Sequence, residues 1–330
     1  MEQGARFPRV ASKAGHYESF YLKTCRPGGG RGLWIRHTVH KRPGEEATAS
    51  IWFVLFDRQA EGPRATKVTV PRAELSAPAE SWIKVGDAEI GPGRVEGAIA
   101  TEVLAASWDL TFSAEAEPCK YLPADWLYGA PVPRTKFIAP YPSASFDGRL
   151  EVDGETIELA GWPGMIGHNW GSEHAERWIW LEGTGFPDSS PDTYFDAGAA
   201  RIRLGPWTTP WIPSGMLVLD GTAHRLGGIS KFRAASIRES SSSCDFILTG
   251  REVVVRGRVC APQKDFVGWI YADPKGPEHQ TVNCSVADLE LTIERPGSPP
   301  RQLQLPAGAA YELGMREATH GVPVQPYSDG

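Results

Sequence analysis

The feature that most constrains this chain is that its apolar runs are strand-length and are cut again and again by proline or glycine. Thirty-six glycines and twenty-eight prolines are spread along 330 residues without a short repeat, so they punctuate strands and do not mark disorder. Lys67–Pro71, Trp82–Val85, Ala88–Ile90, Val95–Ala100 and Ala105–Phe112 follow one another at the spacing of a β-meander, and no helical period survives a full window there. Gly15–Arg36 reads as strand, glycine turn, strand. In Glu46–Asp57, Ile51, Phe53 and Leu55 share one face and Trp52, Val54 and Phe56 the other. A strand apolar on both faces is one covered on both sides.

Cys119–Ala144, together with Pro118 just before it, carries six prolines up to Pro142 around Tyr121, Trp126, Tyr128, Phe137 and Tyr141, and is expected to be an ordered aromatic loop across a barrel mouth. Asp153-Gly154 joins two strands as a tight hairpin, and Trp162-Pro163-Gly164 is expected to turn the chain. Beyond Phe186–Pro191 a second strand series runs from Tyr194 to Glu294, followed by a short helix expected around Ala307–Gly314 and a loosely held end, Gly321–Gly330. With no repeat that would suggest a propeller or solenoid, the expectation is an all-β protein of two consecutive antiparallel domains, residues 1–187 and 188–330, each a barrel or sandwich.

Composition excludes several functions. A formal net charge of −6 with scattered basic residues offers no basic face, so nucleic acid is not an expected partner. Met1–Lys41 holds no continuous apolar run and no segment reaches the length of a membrane span, which leads to the expectation of a cytoplasmic protein. Five cysteines without a C-x-x-C pair fit reduced thiols better than a disulfide frame. Pro27–Gly32 lacks the following helix that a nucleotide loop needs, and no G-x-S-x-G elbow occurs. Twelve tryptophans against four methionines instead suggest a pocket for a flat or greasy ligand.

The chemistry concentrates in Ile166–Gly185, IGHNWGSEHAERWIWLEGTG. Strand alternation places Trp178, Trp180 and Glu182 on one wall, while His168 and His174 are expected in the turn that feeds it. His168, Glu173 and His174 do not have the spacing of a helical H-E-x-x-H site, so no metal is expected.

HNWG followed by Glu173, His174, Trp178 and Trp180 resembles the signature region of carotenoid 1,2-hydratases (hydroxyneurosporene synthases), tocopherol cyclases and AttH-type proteins, and more distantly of fungal Diels–Alderases. Tyr17–Lys23 (YESFYLK), Ser50–Asp57 (SIWFVLFD) and His279–Ile293 extend the resemblance over nearly the whole chain. It implies two lipocalin-like, calycin-like domains holding a hydrophobic small molecule, with no metal or organic cofactor. It also implies a hydratase or cyclase that protonates an alkene, or a pericyclic catalyst; the alternative is a non-catalytic carrier of a lipid, isoprenoid or polyketide.

Alkene protonation needs an acid kept in a dry pocket beside π-faces. The candidate acids are Glu173, Glu182 and Asp196, with Asp57 on the other side. The expected ligand-binding set is His168, Asn169, Trp170, Trp178, Trp180, Tyr21, Trp52, Trp126 and Tyr128. A lipophilic substrate would allow peripheral membrane access, and an antiparallel edge would allow a homodimer. Catalysis is favoured by a carboxylate facing the aromatic wall away from arginine and lysine, and a scaffold role by one that is paired.

Overall fold

The computed structural model describes residues 4–114 and 116–327. Among them there is no α-helix, only short 3-10 turns between strands. The first sheet contains β1 (His16–Cys25), β2 (Arg31–Lys41), β3 (Thr48–Asp57), β4 (Arg64–Pro71), β5 (Leu75–Ser76), β6 (Ile83–Val85), β7 (Ala88–Gly91), β8 (Arg94–Ala100), β9 (Ala105–Ser113), β10 (Cys119–Lys120), β11 (Thr135–Val152) and β12 (Glu155–Gly171). Its order is β4-β3-β2-β1-β12-β11-β9-β8-β7-β6-β5, curled into a nearly closed barrel. The second sheet contains β13 (Arg177–Thr184) and β14 (Tyr194–Arg201), then, after the small ribbon of β15 (Arg203–Leu204) and β16 (Trp207–Thr208), the remaining strands. These are β17 (Ile212–Leu219), β18 (Thr222–Gly227), β19 (Ser236–Glu239), β20 (Ser243–Thr249), β21 (Val254–Cys260), β22 (Val267–Tyr271), β23 (His279–Glu294) and β24 (Arg301–Met315). They form a half-barrel in the order β18-β17-β14-β13-β24-β23-β21-β20-β19, with β22 on β23.

Alternation along β1 to β3 decides what lies between the sheets. Phe20, Leu22, Leu33, Ile35, Ile51, Phe53 and Leu55 fill the first barrel, whereas Cys25, Trp34, Trp52, Val54 and Phe56 point outward into one core with the second sheet. The double-faced apolarity of β3 therefore has its cause: the outside of the first barrel is the floor on which the second sheet is laid.

Several local expectations are corrected. Only the first part of Cys119–Ala144 is loop; Pro140 and Pro142 sit inside β11, where its register against β12 slips between Ile138 and Tyr141 and again between Tyr141 and Ala144. Bulges free those positions from ladder bonds, which is where a strand tolerates proline. Trp162-Pro163-Gly164 likewise lies within β12 and pairs with Ala144–Phe146. Ala307–Gly314 is strand, paired with β13 on one side and β23 on the other; tertiary pairing overrides its helical propensity. The sheets change at residues 172–176, upstream of the 187/188 boundary, because β13 pairs with β14 and β24. Val322–Tyr327 is docked: Val324 bridges Gly268, and the Thr66 hydroxyl donates to Tyr327 Oη at 2.9 Å. Residues 328–330 of the expected loose end lie outside the described residues. All five cysteines are free thiols.

Candidate functional site

Where the two sheets meet, one cross-strand row of the first barrel faces outward: Gly167 on β12, Tyr21 on β1, Arg36 on β2, Trp52 on β3 and Lys67 on β4. Opposite it, β13 presents Trp178, Trp180 and Glu182, with Asp196 of β14 directly across from Glu182 and Glu312 of β24 across from Trp180. The alternation read from Arg177–Gly185 is thus what the strand adopts, and its polar side is the one turned toward the first barrel. Glycine makes room for the rings: a Cβ on Gly167 would collide with the phenol of Tyr21, and one on Gly314 with the indole of Trp178. Gly167→Ala is expected to push Tyr21 from its seat and to cost about 1–3 kcal/mol, read by urea denaturation and by the near-UV aromatic signal.

The three carboxylates of this wall have different partners. Glu182 Oε2 lies 2.7 Å from Lys23 Nζ, both side chains 0% exposed, and Lys23 also donates to the Gly308 carbonyl at 2.6 Å. Glu312 accepts from Trp178 Nε1 at 2.8 Å, Tyr271 Oη at 3.0 Å and Asn283 Nδ2 at 3.4 Å. Asp196 has neutral donors, the Tyr121 hydroxyl and Trp180 Nε1, the latter at 3.0 Å. Burial, reinforced by the charge of Glu182 and only partly offset by the hydrogen bonds from Tyr121 and Trp180 and by the charge of Lys23, pushes the Asp196 carboxyl up to about 7. About half of the molecules therefore keep this proton at pH 7, and more below it.

Around Asp196, Cys119, Tyr121, Ala139 and Met165 are buried, while Tyr21, Phe137, Trp180 and Met216 pack with them and remain only half-buried. Tyr21 meets Trp180 edge-on at 5.4 Å. Its phenol is desolvated enough to be driven well above the usual tyrosine range, yet it retains accessible surface and makes no hydrogen bond among the described residues. Tyr21, Phe137, Trp180 and Met216 thus leave a partly exposed aromatic and thioether surface beside Asp196.

The remaining expected site residues are scattered. Glu173 lies in the link between the sheets, ion-paired with Arg134 near the surface. Glu173→Gln is expected to change stability by less than about 0.5 kcal/mol in chemical denaturation, since such pairs contribute little. Asp57 is held by Arg31 at 2.7 Å on the outside. His168 is not in a turn; it lies within β12, near its end, and points into the first barrel, with Nε2 2.8 Å from Glu18 and its ring stacked 3.9 Å from Phe20. Trp170 follows it into that barrel, 4.6 Å from His168, and packs with Tyr128 and Ile138. Asn169 faces the second sheet and accepts from Ser19. His174 lies in the link but is stacked on Tyr17 at 3.9 Å and on Trp178 at 5.6 Å. Trp52 packs edge-on against Trp269 at 4.9 Å, and Trp126 is 71% exposed. Trp178, Trp180, Glu182, Asp196 and Tyr21 therefore come together, with Trp52 in the same outward row and His174 stacked on Trp178, while Glu173, Asp57, His168, Trp170, Trp126 and Tyr128 lie elsewhere.

Lys23, Arg36, Tyr121, Met165, Met216 and Glu312 also belong to this wall and were not singled out. A signal existed for Arg36 alone, which directly follows the apolar run Leu33-Trp34-Ile35, a place a cation occupies only when something answers it. Among the described residues no group of histidine, cysteine and carboxylate side chains is arranged to hold a metal ion, and no helix is long and apolar enough to cross a membrane.

Comparison with known proteins addresses the architecture. No family model matches the chain. Uncharacterized proteins from two strains of Mycobacterium tuberculosis, CDC 1551 / Oshkosh and H37Rv, are 27% identical over 300 residues, covering 88% of this chain and 85% of theirs. An AttH-type protein of Nitrosomonas europaea has a TM-score of 0.53 at 14% identity, over 95% of this chain and 97% of its own. CghA, a Diels–Alderase, has a TM-score of 0.56 at 11% identity, over 92% and 88%. The chain has their fold. That agrees with the resemblance drawn from the HNWG region, and at these identities the likeness speaks for the two joined sheets alone.

Proposed function

We propose that this protein is an acid-base enzyme that binds a bulky hydrophobic small molecule, of isoprenoid, polyene or polyketide type, between its two sheets. On this reading Asp196 and Tyr121 act as one proton-donating pair, and Trp180, Tyr21 and Phe137 offer π-faces to the cation that protonation creates. The observation that carries the proposal is the environment of Asp196. It is a buried carboxyl on the aromatic wall with no ion pair among the described residues, raised to about 7, whereas Glu182 is committed to Lys23. The sharing of one fold with the Diels–Alderase CghA supports catalysis within such an architecture without naming the reaction. Hydration and cyclisation begin with protonation of a carbon, so both would place a solvent-derived proton in the product.

The test starts from protein purified from its own host. Organic extraction and mass spectrometry are expected to yield an apolar ligand at about one per chain, and re-incubating it with the protein in D2O is expected to give a product carrying deuterium on carbon. A ligand that stays unlabelled and unchanged would favour a carrier. A protein that yields no ligand and whose interior fills with water would count against both readings.

A further inference from the structure

Across from Tyr21 in the same outward row, the proposed acid leaves unused a second polar side chain, Arg36. This residue is 6% exposed, and its guanidinium carbon sits 4.3 Å from the ring centre of Tyr271, 5.6 Å from that of Trp52 and 5.9 Å from that of Trp34. The aromatic faces stabilise the charge but accept none of its N–H donors in the plane of the fork. Among the described residues no carboxylate oxygen lies within 4.0 Å of it and it makes no hydrogen bond; Nε is buried without a partner. Glu312, which acts on Tyr271 together with Arg36, already accepts from Trp178, Tyr271 and Asn283. Beside Arg36 in the same row stands Tyr21, whose hydroxyl also makes no hydrogen bond among the described residues. A buried guanidinium keeps its charge, and leaving it unanswered is costly.

We infer that Arg36 is the anchor for a ligand carboxylate, so that the molecule taken between the sheets is an amphiphile with an acidic head. The carboxylate lies in the plane of the guanidinium fork, bridged by the Tyr21 hydroxyl, and the hydrocarbon body runs past Trp180, Phe137 and Met216 toward Asp196. The head is thus fixed at Arg36 while the reacting carbons reach the acid. This rests on the reading of the intersheet space as a hydrophobic ligand site.

Retinoate and retinol share a polyene body and differ in the head, so they separate the two ideas. Titrated by quenching of tryptophan fluorescence, retinoate is expected to bind the wild-type protein at least about tenfold more tightly than retinol. Arg36→Gln is expected to erase that preference by weakening retinoate while leaving retinol within about twofold, and Arg36→Lys, which keeps the charge but loses the fork, to retain part of it. Equal binding of both compounds by wild type, or a preference that survives Arg36→Gln, overturns the carboxylate anchor and leaves the hydrophobic site standing. Binding of neither compound overturns the hydrophobic site and the anchor with it. Should Arg36→Gln not fold, the wild-type preference and Arg36→Lys still decide.

Discussion

Asp196→Asn is expected to lower turnover by about 10² to 10⁴, the usual contribution of a positioned acid, while ligand binding is retained. The same variant has a readout that needs no substrate. The carboxyl titrates at 3.8 in an unstructured chain and at about 7 in the folded protein, so between those values the native state holds a proton that the unfolded state has released. Stability therefore falls as pH rises through that window and levels off above about 7, a loss on the order of 4 kcal/mol. In Asp196→Asn this slope is expected to disappear, leaving the variant more stable than wild type at pH 8.5 and closely matched at pH 4. Urea midpoints at the two pH values measure it. Identical pH profiles for wild type and variant would mean that Asp196 is an ordinary ionised carboxylate and no acid at neutral pH.

Lys23→Met is expected to be the most damaging single change, costing about 3–5 kcal/mol, because it strands Glu182 as a buried charge. Lys23 and Glu182 come from different sheets and are each fully enclosed, so the loss should also loosen the seat of the second sheet on the first barrel. Lys23→Met combined with Glu182→Leu is expected to recover most of the stability, since two apolar side chains of similar size need no partner. Denaturant midpoints of the two single variants and the double variant form the cycle. A cost below about 1 kcal/mol for Lys23→Met would show that water reaches the pair.

Both predictions rest on residues that were unequally legible. Glu182 and Asp196 were readable as candidates, one from the alternation of Arg177–Gly185 and the other from its nearness to that wall. Lys23 and Tyr121 were not. Lys23 reads as an ordinary strand lysine in YESFYLK, and Tyr121 belongs to a proline-rich stretch whose path no periodicity predicts. Glu173 and His168 misled for the opposite reason: their nearness to the tryptophans in sequence is undone for His168 by a one-residue step, which sends a side chain to the other face of a strand, and for Glu173 by its place in the link between the sheets.

By itself the sequence determined what is local: strand-length runs with their glycine and proline breaks, the shared side of Trp52, Val54 and Phe56 in β3, and the shared side of Trp178, Trp180 and Glu182. Period-two geometry is a property of the backbone, and it holds wherever the strand is finally placed. Only the tertiary structure decided which of two apolar faces became barrel interior and which became the joint between sheets. Glu182 met a lysine and Asp196 a tyrosine for the same reason. Those outcomes depend on desolvation and on partners brought in from distant strands, and neither is encoded within one stretch of chain.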